Sequence, residues 1–345
     1  MTRHHPQPVW RVAPLLGALS LAGTLASCTT DVWGPDEVLH GAATKEAATL
    51  KRGREQYSLY CVGCHGENGD GEGQAARFLN PKPRDFRKGR VKFAAVPAGT
   101  LPRDEDLLVT INHGLNGTSM PSWRLIGEED KRAIVAYLKT FSEIWQKEAP
   151  GTVVAVKPDP WRKHPERGVE EGERVYHGLA ACSSCHPAYV SMPKIAEHMK
   201  AYDISLTGFR PDQYSSVEKD SDWGAPIRPP DFLIDRTKRA KTKEELVRVI
   251  AAGGGGTAMP SWGATLTHQQ LWGLAYYVES LIQKRESPEG YAMKKALLDQ
   301  PAFTPPPPPP PAPDRPPVVD TAAPAASASA GAAPSAHPAT PPKGK

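Results

Sequence analysis

Cys61-Val62-Gly63-Cys64-His65 and Cys182-Ser183-Ser184-Cys185-His186 are the two stretches of this 345-residue chain on which its reading turns. Each sets two thiols one helical turn apart with a histidine directly behind the second. In an exported chain this spacing is the attachment signature of c-type haem: the thiols add to two vinyl groups, and the adjacent histidine is held below the iron as proximal ligand. Other chemistries also use paired cysteines. A zinc site wants four good ligands, which two such pairs could supply, but zinc has no need of a histidine after each second cysteine. A redox-active dithiol or a structural disulfide has no such need either. The expectation is two covalently attached haem c groups, on Cys61, Cys64 and His65 and on Cys182, Cys185 and His186.

The duplication extends well beyond the motifs. Residues 106–111 and Gly117-Thr118-Ser119-Met120-Pro121-Ser122-Trp123 recur 139 positions later as residues 245–250 and Gly256-Thr257-Ala258-Met259-Pro260-Ser261-Trp262, and Ala136-Tyr137 recurs as Ala275-Tyr276. This is an internal repeat. Pro83-Arg84-Asp85-Phe86 corresponds to Pro229-Pro230-Asp231-Phe232 at an offset of 146, so the second unit carries extra residues between His186 and Ile227. The repeat selects Met120 and Met259 as sixth iron ligands. Glycine lets the backbone approach the ring closely, and proline pushes the preceding methionine toward an extended conformation. The rivals are Met192, Met199, His113, His177 and His198, none of which repeats. Histidine–methionine ligation raises the reduction potential relative to two histidines, which points to the oxidase-facing half of a respiratory chain.

Helical patterns precede and follow each motif. In the first unit they cover residues 45–60, 103–112 and 128–145, the last with Ile134, Val135, Leu138, Phe141 and Ile144 as an apolar stripe. In the second they cover 166–181, 243–252 and 267–284. Pro158, Pro160 and Pro165 mark residues 148–165 as a linker between domains at 45–147 and 166–286. On these motifs each half resembles a class I cytochrome c domain of the bacterial mono- and dihaem type. The resemblance implies an all-α fold of two tandem domains, each wrapping one haem and passing electrons without making or breaking substrate bonds. It also implies Trp123 and Trp262 beside the haems, donating to a propionate or simply packing in the core. A proline carbonyl is implied as acceptor for the proximal histidine, with Pro81 the candidate in the first domain and the second domain's equivalent undecided.

The ends read differently. Arg3 and Arg11, an apolar run over 12–24 and Leu25-Ala26-Ser27-Cys28 form an export signal over residues 1–27. The apolar run is shorter than the ~20 residues that span a bilayer. Leu-Ala-Ser-Cys is similar to a bacterial lipoprotein lipobox, which implies cleavage before Cys28 and lipid on its sulfur. Thr29 in place of aspartate after it implies the periplasmic side of the outer membrane. Residues 28–44 read as a tether. Residues 301–345, with seven consecutive prolines from Pro305 followed by alanine, serine and proline, cannot bury a core and read as a disordered tail.

Lysine and arginine exceed aspartate and glutamate by only 4, with no clustered basic face of the kind nucleic-acid binding needs. No small-molecule substrate is expected. The leading reading is a lipid-anchored carrier moving single electrons from a quinol-oxidising complex or periplasmic dehydrogenase to a terminal acceptor, through small transient contacts. The alternative is a permanent haem subunit of a larger membrane oxidoreductase or oxidase complex. A dihaem peroxidase ranks last, because it needs one iron with an open or displaceable sixth position and both halves carry the same methionine motif.

Overall fold

In the computed structural model, residues 44–204, 210, 212–301, 303 and 304 are described. The expected signal peptide, Cys28, most of the expected tether and nearly all of the proline-rich tail lie outside them. Among the described residues the structure is helical, with isolated bridges Leu101 to Pro150 and Lys219 to Ile227 in place of strands. The first domain contains α1 (Thr44–Tyr60), α2 (Val62–His65), α3 (Asp104–His113), α4 (Glu128–Lys139) and the short α5 (Ile144–Lys147). The second contains α6 (Pro165–Arg174), α7 (Met192–Lys200), α8 (Lys243–Ala252), α9 (His268–Gln283) and α10 (Pro288–Leu298).

Each domain is built on one crossing between the helix that leads to its Cys-x-x-Cys-His motif and its last repeated helix. In the first, Gly53 of α1 lies against α4 so closely that a Cβ there would sit 2.1 Å from the carbonyl oxygen of Ala133. In the second, Gly172 of α6 meets Gly273 of α9, where the corresponding distance is 2.0 Å. Glycine ordinarily costs a helix interior ~1 kcal/mol relative to alanine. Here backbone contact outweighs that cost, because the obstructing atom is a carbonyl that cannot rotate away. Gly53→Ala is therefore expected to destabilise the first domain by a net ~1–2 kcal/mol despite its better propensity, read as a lower urea midpoint by circular dichroism. An unchanged or raised midpoint would show that the crossing has slack.

Around these crossings the apolar stripes close two cores. Tyr57, Leu107, Leu108, Ile111, Ile134, Val135 and Leu138 form the first. The second is larger and centres on Tyr176, Trp272, Leu274, Tyr277 and Leu281. Local chemistry sets the helix ends. Thr242 and Glu245 make a reciprocal capping box at the start of α8, as Thr267 and Gln270 do for α9. Gly114 and Gly253, both at positive φ, end α3 and α8.

Two expectations need correction. The helix foreseen over 128–145 stops at Lys139, where Thr140 turns its N–H and its hydroxyl back to the carbonyl of Tyr137, and Ile144–Lys147 is a separate turn. The helix foreseen over 166–181 ends at Arg174 and widens into a π-turn, Val175–Leu179, followed by Ala181 at φ 43°. That widening absorbs two extra residues, since Tyr57 precedes Cys61 by four positions and Tyr176 precedes Cys182 by six. Both tyrosine hydroxyls still donate to the carbonyl just past the histidine, Tyr57 to Gly66 at 2.7 Å and Tyr176 to Pro187 at 2.9 Å. Residues 148–165 bond to both domains. Val154 donates to Ala95 of the first domain at 2.7 Å, and Trp272 of the second donates its indole N–H to Lys157 at 3.0 Å.

Two helices carried no expectation. α7 lies in the extra segment after His186 and packs on the π-turn, with His198 beside His177. α10, capped by Ser287, is tied to the second domain by the Lys294–Asp231 ion pair, so the domain continues past residue 286.

Candidate haem sites

The two motifs share their closing backbone hydrogen bonds, although the first is an α-helical turn and the second a 3-10 turn. His65 N–H donates to Cys61 at 2.9 Å and His186 N–H to Cys182 at 2.9 Å; Cys64 and Cys185 repeat this at 3.1 Å each. One turn thus presents both thiols and the imidazole together. The next layer differs between the domains. The Cys64 carbonyl accepts from Gly73 in the glycine-rich loop at 3.2 Å, whereas the Cys185 carbonyl accepts from Val217 at 2.8 Å. The inserted segment of the second domain therefore does what a glycine loop does in the first.

Each histidine is oriented by a backbone carbonyl. His65 Nδ1 lies 3.2 Å from the oxygen of Arg84, and His186 Nδ1 lies 3.1 Å from that of Pro230. A carbonyl only accepts, so the proton resides on Nδ1 and Nε2 is left with its lone pair free for a metal. This overturns the expectation for Pro81. The signal that could have located the acceptor was the Pro-x-Asp-Phe repeat, because Arg84 and Pro230 are its equivalent second positions. The same repeat supplies Phe86 and Phe232, whose rings stack on His65 and His186 at centroid distances of 4.6 and 5.2 Å. Sequence reasoning had given these phenylalanines no role.

Burial pulls both imidazoles below their ordinary pKa, against the opposing pull of the carbonyl hydrogen bonds. Both are therefore neutral near pH 7, the form that coordinates iron. Burial also pushes the Cys61 and Cys182 thiols up to about 12. A redox-active dithiol needs the opposite shift, toward thiolate. The four cysteines are unbridged, and among the described residues no cluster of three or more His, Cys, Asp or Glu side chains could hold a zinc ion. The donor set of two thiols and one oriented neutral imidazole fits a covalently attached haem at each motif.

The methionine loops repeat as faithfully. Thr118 Oγ1 accepts the Met120 N–H at 3.1 Å and donates to Leu115 at 2.8 Å; Thr257 Oγ1 does the same for Met259 and Gly254, at 3.2 and 2.7 Å. Leu115 and Gly254 each donate to the methionine carbonyl at 3.1 Å. Gly117 and Gly256 share φ 67°, a left-handed conformation that side chains resist. Trp123 and Trp262 donate backbone N–H groups to Ile111 and Ile250, at 2.9 and 3.4 Å, and so tie each loop's end to α3 or α8. Their side chains pack on the domain cores, as do Cys61 and Cys182. Tyr60, next to Cys61, meets the Trp123 ring at 5.4 Å. In the first domain this contact brings the end of the methionine loop against the start of the cysteine motif.

The rival histidines have hydrogen-bond partners of their own. His113 is exposed and bonds the Val109 carbonyl one turn back at 3.0 Å. His177 donates from Nδ1 to Glu173 at 3.0 Å and accepts the Tyr189 N–H on Nε2 at 3.1 Å, so neither ring nitrogen is available. His198 Nε2 lies 3.0 Å from the Glu173 carboxylate. Met192 opens α7 and Met199 lies near its end.

His177 also has a pH consequence. Burial pushes its pKa down to about 3, with the neighbouring His198 adding to the shift. Between pH 6.5 and 3 the unfolded chain binds a proton there that the folded chain does not, so this contribution is complete above pH 6.5 and is lost as pH falls toward 3. At ~1.4 kcal/mol per pH unit the loss is several kcal/mol. The urea midpoint of the second domain is expected to fall from pH 7 through 5 to 4, and His177→Gln to flatten that dependence. Equal slopes in the two proteins would show that the buried imidazole is not the group responsible.

Comparison with known proteins agrees with this geometry. The family described as cytochrome c oxidase, cbb3-type, subunit III matches residues 48–138 and 167–278, one stretch in each domain. No curated protein matches the chain. Among solved structures it is similar to a chain of the Kuenenia stuttgartiensis reducing HAO-like protein complex Kustc0457/Kustc0458. The two share 32% identity with a TM-score of 0.56, over 68% of this chain and 96% of that one. Two tandem domains, each presenting an oriented Cys-x-x-Cys-His turn and each matched in sequence, place this chain in the cbb3-type cytochrome c oxidase subunit III family, as an electron-transfer cytochrome c that carries covalent haem c.

Proposed function

We propose that the chain carries two haem c groups, one on Cys61, Cys64 and His65 with Met120 as distal ligand, the other on Cys182, Cys185 and His186 with Met259. The observation that supports this best is the repetition of the whole second layer. The carbonyl on Nδ1, the phenylalanine on the imidazole face and the threonine-braced methionine loop recur in both domains with hydrogen bonds that match to within a few tenths of an ångström. When bound, each haem supplies a one-electron carrier. The protein's part is to hold the imidazole in one tautomer and to offer the same soft thioether on the other side. Two closed sites suit relay, in which single electrons pass from a quinol-oxidising complex or periplasmic dehydrogenase to a terminal acceptor. The chain acts from the periplasmic side of a bacterial membrane, the outer membrane by the residue after Cys28, anchored by lipid on that cysteine.

Visible and near-infrared spectra with a redox titration test the ligand sets. Two low-spin haems per chain, each with a methionine–iron charge-transfer band when oxidised, are expected. A high-spin haem, or one ligated by two histidines, would refute the reading for that half. Cys28→Ser should abolish labelling by a fatty-acid tracer and release the protein from membranes; retained label would exclude this anchor.

A second reading is favoured by the names of the matches, an oxidase subunit family and a chain from a multi-protein complex. In it the chain is a permanent haem subunit of a larger oxidoreductase. Copurification with a fixed partner through high salt and mild detergent distinguishes it from a free carrier.

A further inference from the structure

The two methionine loops are each held by the opposite domain. Asn116 of the first loop donates its N–H to the carbonyl of Lys238 at 3.0 Å, and Gly255 of the second donates to the carbonyl of Lys92 at 3.1 Å. These bonds are related by the internal duplication: Asn116 and Gly255 differ by the 139 of the methionine repeat, and Lys92 and Lys238 by the 146 of the Pro-x-Asp-Phe repeat. The contact is therefore reciprocal, as in a two-fold dimer, although it lies within one chain. Further bonds cross the same seam on both sides. Ala98 N–H reaches the Ala252 carbonyl at 2.8 Å and Ser261 Oγ at 2.9 Å, and Arg239 reaches Thr110 Oγ1 at 3.4 Å. The Arg84 guanidinium lies 3.5 Å from the centre of the Trp223 ring, which itself presses on Gly256.

We propose that the Lys92 and Lys238 carbonyls are positioning groups for the methionine loops of the opposite domain, so that the domains dock and both loops close as one event. In the alternative, ordinary domain packing, the loops are stable alone and the bonds across the seam are incidental. The distinction matters because each of these amides sits four residues before its methionine, in segments whose glycines give little stiffness of their own. The consequence for the iron rests on the reading of Met120 and Met259 as distal ligands; the clamp itself does not.

Gly255→Ala is the wedge that tests it, because a Cβ there would lie 2.3 Å from the backbone oxygen of Val91 in the first domain. The holoprotein is compared with wild type by hydrogen exchange and by near-infrared spectroscopy. Exchange is expected to accelerate by roughly tenfold or more at position 255 and equally at Asn116, on the other domain. The methionine–iron band is expected to weaken at both haems. Acceleration confined to the second domain, or a band lost from one haem only, overturns the proposal. Wild type supplies an independent arm should the variant fold poorly. The Asn116, Gly255 and Ala98 amides should share one opening equilibrium that moves together with sub-denaturing urea, and distinct equilibria overturn the clamp. Shared opening in a protein with no methionine–iron band would leave the clamp standing and refute the ligand assignment alone.

Discussion

Replacing Met259 with histidine is expected to remove one of two methionine–iron bands from the oxidised protein and to lower one haem potential by on the order of a few hundred millivolts. A thioether is a soft, weak donor that favours the reduced iron; an imidazole donates more strongly and favours the oxidised form. Axial ligands are among the largest levers a protein has on haem potential, which is why this change should exceed any produced by surface charge. The loop is built to present whatever stands at that position, since Thr257 braces the backbone N–H of residue 259 and Gly254 donates to its carbonyl, and neither depends on the side chain. The other haem should keep its band and change little in potential. A redox titration followed optically checks both statements. An unchanged pair of potentials would show that Met259 is not a ligand, and movement of both would point to coupling through the seam.

The double variant Cys182→Ser with Cys185→Ser is expected to arrive with one haem instead of two and with its second domain unfolded. Mass spectrometry counts the haems, and far-ultraviolet circular dichroism reads the lost helix. The two cysteines lie on a turn pinned by Val217 at Cys185 and by Gln213 and Arg210 at Ser183. Cys182 packs against the larger core, as Trp262 does. Serine hydroxyls cannot add to the vinyl groups, so the haem would have to stay by ligation alone. Without it the helices lose the apolar body they enclose, a deficit that the adjoining core can offset only in part. Retention of two haems would refute the attachment assignment. A fully folded second domain without haem would show that its core, enlarged by α7 and α10, is self-sufficient.

Much of this was legible because it is local or repeated. The Cys-x-x-Cys-His spacing encodes its own geometry within one turn, and α8 occupies the residues its periodicity indicated, bounded by a threonine cap and a glycine. The methionine loops could be paired from the 139-residue offset alone. What escaped was decided by partners far away in the chain. The carbonyl that orients His65 belongs to Arg84, nineteen residues on, and that of His186 to Pro230, forty-four residues on. A carbonyl leaves no mark in the residue name. α7 and α10 have no counterpart in the first domain, so the repeat could not flag them. The π-turn at Val175–Leu179 accompanies two surplus residues before Cys182 while Tyr176 still reaches Pro187, a relation visible once both ends are in place.

The sequence by itself determined the chemistry: which thiols and imidazoles form an attachment turn, that the unit occurs twice, and that each copy carries one matched methionine. The attachment turn follows from side-chain identity at fixed short spacing, which helical geometry converts directly into proximity, and the duplication and its methionines follow from identity at a constant offset. Only the tertiary structure decided the tautomer of each histidine, the stacking of Phe86 and Phe232, the shape of the inserted segment and the reciprocal seam between the domains. The tautomers and most of the seam depend on backbone N–H and C=O groups, which are the same in every residue apart from the N–H that proline lacks, and the stacking depends on rings that lie far apart in the chain. Where they point is set by the packing of the whole chain.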